Sequence, residues 1–163
     1  MRDRVRLAVL SVAGASLVLA AGGVLAQEGE RSTRSGIFTD AQAERGKAGY
    51  AANCSNCHGA TLAGTGEAPG LNSAEFLANW NGLSVGDLFD RIRMTMPFDK
   101  PGTLSREQYA DILAFVLKSD GYPAGPTELS GRSEMLAGIK FVVVATPVAE
   151  TPPPTGGAVA APK

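Results

Sequence analysis

The chain has 163 residues, with 15 Lys and Arg against 16 Asp and Glu and a formal net charge of −1. That length fits one domain with extensions, and the balanced charge excludes the basic footprint of a nucleic-acid binder. Two Cys and one His are the whole supply of thiol and imidazole, which excludes a disulfide scaffold, most zinc sites and any hydrolase that needs a free histidine base.

Arg2, Arg4 and Arg6 precede an apolar stretch from Leu7 to Ala26, with Val24 and Ala26 at the −3 and −1 positions of a cleavage site. Residues 1–26 read as a secretory signal peptide cut before Gln27. An uncleaved membrane anchor through residues 7–26 is the alternative, since about 20 apolar residues can span a bilayer. Either reading places the rest of the chain beyond the cytoplasmic membrane, in the periplasm. Removing the segment leaves 12 basic and 15 acidic residues, a net charge of −3.

Residues 27–38 are polar and lack apolar periodicity, which predicts a flexible lead-in. A helix is predicted from Thr39, with Gln42 at capping-box spacing, to about Asn53. Its small residues, Gly46 among them, permit close approach by a second helix. Gly59 to Leu71 reads as a loop through its glycines and Pro69. One or two helical turns are expected over Ser73–Trp80. Ser84 and Asp87 form a capping pair for a helix carrying Val85, Leu88, Phe89 and Ile92. Pro97 and Pro101-Gly102 end it. The strongest helix follows Ser105, with Gln108 at the third position and Tyr109, Ile112, Leu113, Val116 and Leu117 on one face. Lys118, Gly121 and Pro123 are its stop signal. Residues 126–163 read as a C-terminal extension, with a short helix at Ser133–Gly138, an apolar run at Phe141–Ala145, and a Pro/Ala/Gly-rich, disordered end from residue 146. The pattern as a whole is all-α, helices joined by long loops.

Chemistry concentrates in Cys54-Ser55-Asn56-Cys57-His58, a C-x-x-C-H motif. Two thiols at this spacing can add across the vinyl groups of a haem, and the adjacent imidazole can then ligate the iron. Three other readings compete. A thiol–disulfide exchange motif normally opens a helix in a sheet-containing fold, and no parallel strands are predicted here. Zinc lacks a fourth ligand. A structural disulfide leaves His58 without a role. One covalently attached haem c is the expected cofactor, on Cys54, Cys57 and His58.

With no second His, the other axial ligand falls to Met. Met96-Pro97 lies 38 residues after His58, in a loop between two helices. Met96 is the expected ligand and Met94 the alternative, while Met135 follows the last strong helix. Any of these side chains can also serve as core filler. A Met/His pair favours reduced iron.

These features together resemble the class I c-type cytochromes. The resemblance covers Thr39 to Gly125, a domain of 39–125. It rests on the helix before the haem motif, on Cys54–His58, Pro69-Gly70-Leu71 and Met96-Pro97, and on the last amphipathic helix. It implies the cytochrome c fold, with three to four helices wrapped around one covalently bound haem. It also implies that Gly46 and Tyr50 pack near Leu113 and Val116, and that the Pro69 carbonyl accepts the Nδ1 proton of His58. Leu71 and Phe98 should cover haem faces, and Trp80 should bond a propionate or lie in the core. The stretches Thr95–Pro97, Leu104-Ser105, Tyr109–Ile112 and Gly121–Gly125 are similar to cytochromes associated with pyrroloquinoline-quinone dehydrogenases. The implied function is single-electron transport, not catalysis on a substrate. The donor would be a periplasmic dehydrogenase and the acceptor an oxidase or another cytochrome. A haem subunit of a dehydrogenase complex and an open-site gas sensor are the alternatives.

Overall fold

A computed structural model describes residues 30–143. The signal segment and the Pro-rich end lie outside these residues. Six α-helices follow a short 3₁₀ turn at Thr33–Ser35: α1 Asp40–Asn53, α2 Ser55–His58, α3 Ala74–Trp80, α4 Val85–Thr95, α5 Arg106–Ser119 and α6 Ser133–Leu136. Among the described residues no strand forms, and only two isolated bridges occur, both through Lys140. Local chemistry accounts for the helix starts. Ser84 with Asp87 and Ser105 with Gln108 each form a complete capping box, which satisfies two otherwise orphaned amides at each helix start.

α1 shows how tertiary contacts redirect such a signal. The Thr39 hydroxyl accepts from the Gln42 amide at 3.1 Å, but the Gln42 side chain does not return to the cap. It is buried and bonds both sides of the Leu129 peptide, donating to its carbonyl at 2.9 Å and accepting from its N–H at 2.6 Å. A buried peptide group without partners would cost more than a surface cap contributes.

α1 lies across α5. A Cβ at Gly46 would land on the Asp111 carbonyl oxygen, so only glycine permits this approach. The contact falls at Asp111–Ile112, one residue before the expected Leu113. Arg45 pairs with Asp111 and Glu128, and Lys118 with Asp40 and Glu44, around the rim of the crossing.

The buried side chains form two groups. The larger includes Phe38 just before α1 and Ala43 within it, Leu88 and Phe89 of α4, Tyr109, Leu113 and Leu117 of α5, and Leu129, Leu136, Ile139 and Phe141 beyond it. The smaller consists of Tyr50, Leu62, Ile112 and Val116, with Cys54, Leu71, Leu104 and Phe115 packed against it. Leu104 touches both.

Both flanks of the helical region pack onto it. Residues 30–38, expected as a loose lead-in, instead bury Ile37 and Phe38 completely. The Thr33 hydroxyl accepts from the Val142 N–H and donates to its carbonyl, both at 3.0 Å. Lys140 bonds through its backbone to Arg31 and Thr33, while Ile139 and Phe141 bond to Val85, Gly82 and Leu83. Phe141 meets Tyr122 edge-on at 5.6 Å. The segment from Leu129 to Val143 is thus a belt that ties the start of the domain to the α3–α4 corner.

Candidate functional site

The thiols and imidazole are placed where α1 ends and α2 begins. The Cys54 N–H donates to the Tyr50 carbonyl at 2.8 Å, and the Cys54 carbonyl accepts from the N–H groups of Cys57 and His58 at 3.2 and 3.0 Å. One turn therefore carries Cys54, Cys57 and His58 in a fixed order. The Gly59–Leu71 loop folds back over it. Gly64 N–H donates to the His58 carbonyl at 2.8 Å, Thr65 Oγ1 donates to the Cys57 carbonyl at 2.8 Å, and Tyr50 Oη donates to the Gly59 carbonyl at 2.8 Å. Within this loop Leu62 holds a φ of +64°, a left-handed conformation that costs a non-glycine residue about 1 kcal/mol or more. Burial of its side chain in the small apolar group offsets the strain.

His58 Nδ1 lies 2.9 Å from the Pro69 carbonyl oxygen. A carbonyl can only accept, so Nδ1 carries the proton and Nε2 is the nitrogen left for a metal. Such a bond sets the ring's orientation and raises the basicity of Nε2. Both cysteines are free thiols. Burial, helped by the neighbouring Cys57, pushes the Cys54 thiol up to about 11. That is opposite to the lowered thiol of an exchange motif. Nor do three His, Cys, Asp or Glu side chains gather at metal-holding distance among the described residues, as a zinc site would require.

The donor set fits a covalently held haem. It offers two unpaired thiols three residues apart, an imidazole committed at Nδ1, and an apolar group on which Cys54, Leu71 and Leu104 all pack.

Met96 is the C-cap of α4, in extended conformation after the helix ends. Its N–H donates to Ile92 at 2.8 Å. Its carbonyl accepts from Tyr109 Oη at 2.7 Å. Met94 sits within α4 and is 59% exposed, and Met135 on α6 is 55% exposed. Phe98, two residues past Met96, is 87% exposed. Trp80 packs with Phe76 against the larger core, not with the group that contains Cys54. The structure thus brings Cys54, Cys57, His58, Pro69 and Leu71 into one neighbourhood and sets Trp80 in another.

The sequence pattern marks Tyr109 only as an apolar position on α5, and Tyr50 only as a helix-face partner of Gly46. The Tyr50 hydroxyl reaches the Gly59 carbonyl beside the C-x-x-C-H turn, and the Tyr109 hydroxyl reaches the Met96 carbonyl. The one signal available beforehand is that a buried Tyr normally finds a polar partner.

Among the described residues no helix is long and apolar enough to cross a membrane. Residues 41–116 match the family described as cytochrome C oxidase, cbb3-type, subunit III. No curated protein and no solved structure matches the chain. The match ends before the belt, which is outside the shared region. Over residues 41–116, just under half of the chain, the all-α fold and this similarity support a class I c-type cytochrome domain, the module of an electron-transfer haem protein.

Proposed function

We propose that the mature chain is an exported, monohaem c-type cytochrome that carries single electrons between periplasmic redox proteins. The observation that carries this reading is the His58 Nδ1 contact with the Pro69 carbonyl, 2.9 Å, beside two free thiols. Cys54 and Cys57 would attach the haem, and His58 Nε2 and the Met96 thioether would ligate its iron. When bound, the haem supplies a one-electron iron couple. The chain's own part is to keep both ligands in place in either redox state. Pro69 holds the imidazole, and the cap at the end of α4 starts the Met96 loop. Leu71 and Leu104, packed on the same apolar group as Cys54, would add apolar surface near the haem.

A dehydrogenase is the proposed donor, and an oxidase or another cytochrome the acceptor. Likeness in the Thr95–Pro97, Tyr109–Ile112 and Gly121–Gly125 stretches supports a pyrroloquinoline-quinone dehydrogenase in the donor role. The mature charge of −3 argues against a lysine-ringed docking face, so partner rates should depend weakly on salt. Cleavage of the signal segment would leave a mature chain that begins at Gln27, which N-terminal sequencing reads directly.

The deciding experiment is the visible spectrum of the reduced, matured protein with and without carbon monoxide. An unchanged spectrum is expected, because the His58 imidazole and the Met96 thioether would leave the iron no open position. Rapid formation of a carbon monoxide complex would overturn electron shuttling in favour of an open-site sensor or enzyme.

A further inference from the structure

We infer that Tyr109 is a positioning residue for the axial sulfur: its hydroxyl pins the Met96 carbonyl and so fixes the direction in which the Met96 side chain leaves the backbone. This inference rests on the proposed role of Met96 as an iron ligand. The contact is 2.7 Å and joins residues 13 apart in sequence. Tyr109 is only 2% exposed, with its ring in the larger core. The core thus carries the phenol on a rigid base, in the first turns of α5.

That base is itself well anchored. Ser105 Oγ accepts from the Gln108 amide at 3.2 Å, and Gln108 Oε1 accepts from the Ser105 amide at 2.8 Å. Met96, by contrast, lies where α4 has ended. Its amide remains tied to Ile92, and Pro97 after it is buried; the hydrogen bonds that follow are local turn contacts, Lys100 N–H to the Pro97 carbonyl at 3.0 Å, Gly102 N–H to the Met96 carbonyl at 3.4 Å and Thr103 Oγ1 to the Lys100 carbonyl at 2.8 Å. The Gly102 contact is long and weak. The Tyr109 hydroxyl is therefore the stronger of the two hydrogen bonds to the Met96 carbonyl. With the amide tied to Ile92 and the carbonyl to Tyr109, the Met96 backbone is held at both ends; without the second bond it can shift, and the thioether shifts with it.

A thioether is a weak ligand held largely by the loop that presents it. Loosening that loop should speed replacement of the sulfur by an external ligand more than it weakens the fold. Tyr109→Phe keeps the ring and removes only the donor.

The test compares reduced holoproteins carrying Tyr109→Phe, Met96→Ala or Leu117→Ala with the natural protein. The readouts are the rate of carbon monoxide binding and the sulfur-to-iron charge-transfer band of the oxidised form. Leu117 is buried in the same core and on the same helix, and Leu117→Ala reports general loosening. Tyr109→Phe should bind carbon monoxide about five- to tenfold faster, the Boltzmann weight of one net hydrogen bond. It should also weaken the band, while Leu117→Ala changes neither. A Tyr109→Phe rate equal to that of the natural protein overturns the inference, as does an equal acceleration by Leu117→Ala. Met96→Ala separates the two claims. Loss of the band with fast carbon monoxide binding keeps Met96 as ligand whatever Tyr109 does. A band that survives Met96→Ala removes the ligand assignment and this inference with it.

Discussion

Phe141 tests whether the belt belongs to the domain. It lies beyond the region matched by the cbb3-type subunit III family, yet its side chain is completely buried. It meets Tyr122 at 5.6 Å and Phe76 at 6.5 Å. Its N–H donates to the Leu83 carbonyl and its carbonyl accepts from Gly82, each at 2.8 Å. Phe141→Ala keeps those backbone bonds and deletes the ring. Large-to-small changes of this kind cost about 3–5 kcal/mol, the transfer free energy of the ring plus the cavity it leaves. For a domain of this size each kcal/mol lowers Tm by about 4 °C, so the expected fall is roughly 12–20 °C. Thermal and urea unfolding of the holoprotein, followed by far-ultraviolet circular dichroism, measure it. The visible spectrum of the folded variant should be unchanged, because Phe141 lies in the larger core and Cys54 packs on the smaller group. A loss below about 1 kcal/mol would mean the belt is loosely held, contrary to the burial argued here. A changed spectrum at full folding would mean that the two apolar groups act as one.

Two further predictions concern α5. Gly46→Ala in an exposed helix would stabilise by about 1 kcal/mol, but here the added methyl meets the Asp111 carbonyl. The helices must separate, and a net loss of about 2 kcal/mol is expected in urea unfolding. A stabilised Gly46→Ala protein would refute the close crossing. Asp120, just past α5, has a carboxylate with no hydrogen-bond partner among the described residues, and burial pushes it up to about 7. Between the ordinary aspartate range and that value the folded protein holds a proton that the unfolded chain has released, so stability should fall as pH rises from about 4 to 7. Asp120→Asn should flatten this slope and raise Tm at pH 8. An unchanged slope would show that Asp120 is solvated in the fold.

The short-range features were legible in advance because their causes are short-range. Hydroxyl-to-amide caps at Ser84 and Ser105 span three residues, and the C-x-x-C-H spacing lies within one turn. The helix stop around Lys118–Pro123 is equally local. The small-residue face of α1 also announced a close helix crossing. The failures share one cause. Gln42 satisfied every local rule for a capping box, yet its amide serves Leu129, 87 residues away. Residues 30–38 lacked periodicity and read as loose, but a buried Ile37-Phe38 pair needs no period.

The sequence by itself determined that this protein offers one pair of thiols and one imidazole in a single turn, and that helices surround them. Covalent spacing and hydrophobic period carry that information along the chain. Tertiary structure alone decided which backbone groups hold those side chains. The Pro69 carbonyl directs His58, Tyr50 pins the turn after it, Tyr109 reaches the Met96 peptide, and the Leu129–Val143 belt closes the core. The three side-chain contacts join residues nine to thirteen apart, and each gives a polar group its partner. The partner is chosen by how the helices pack, a relation that no local pattern records.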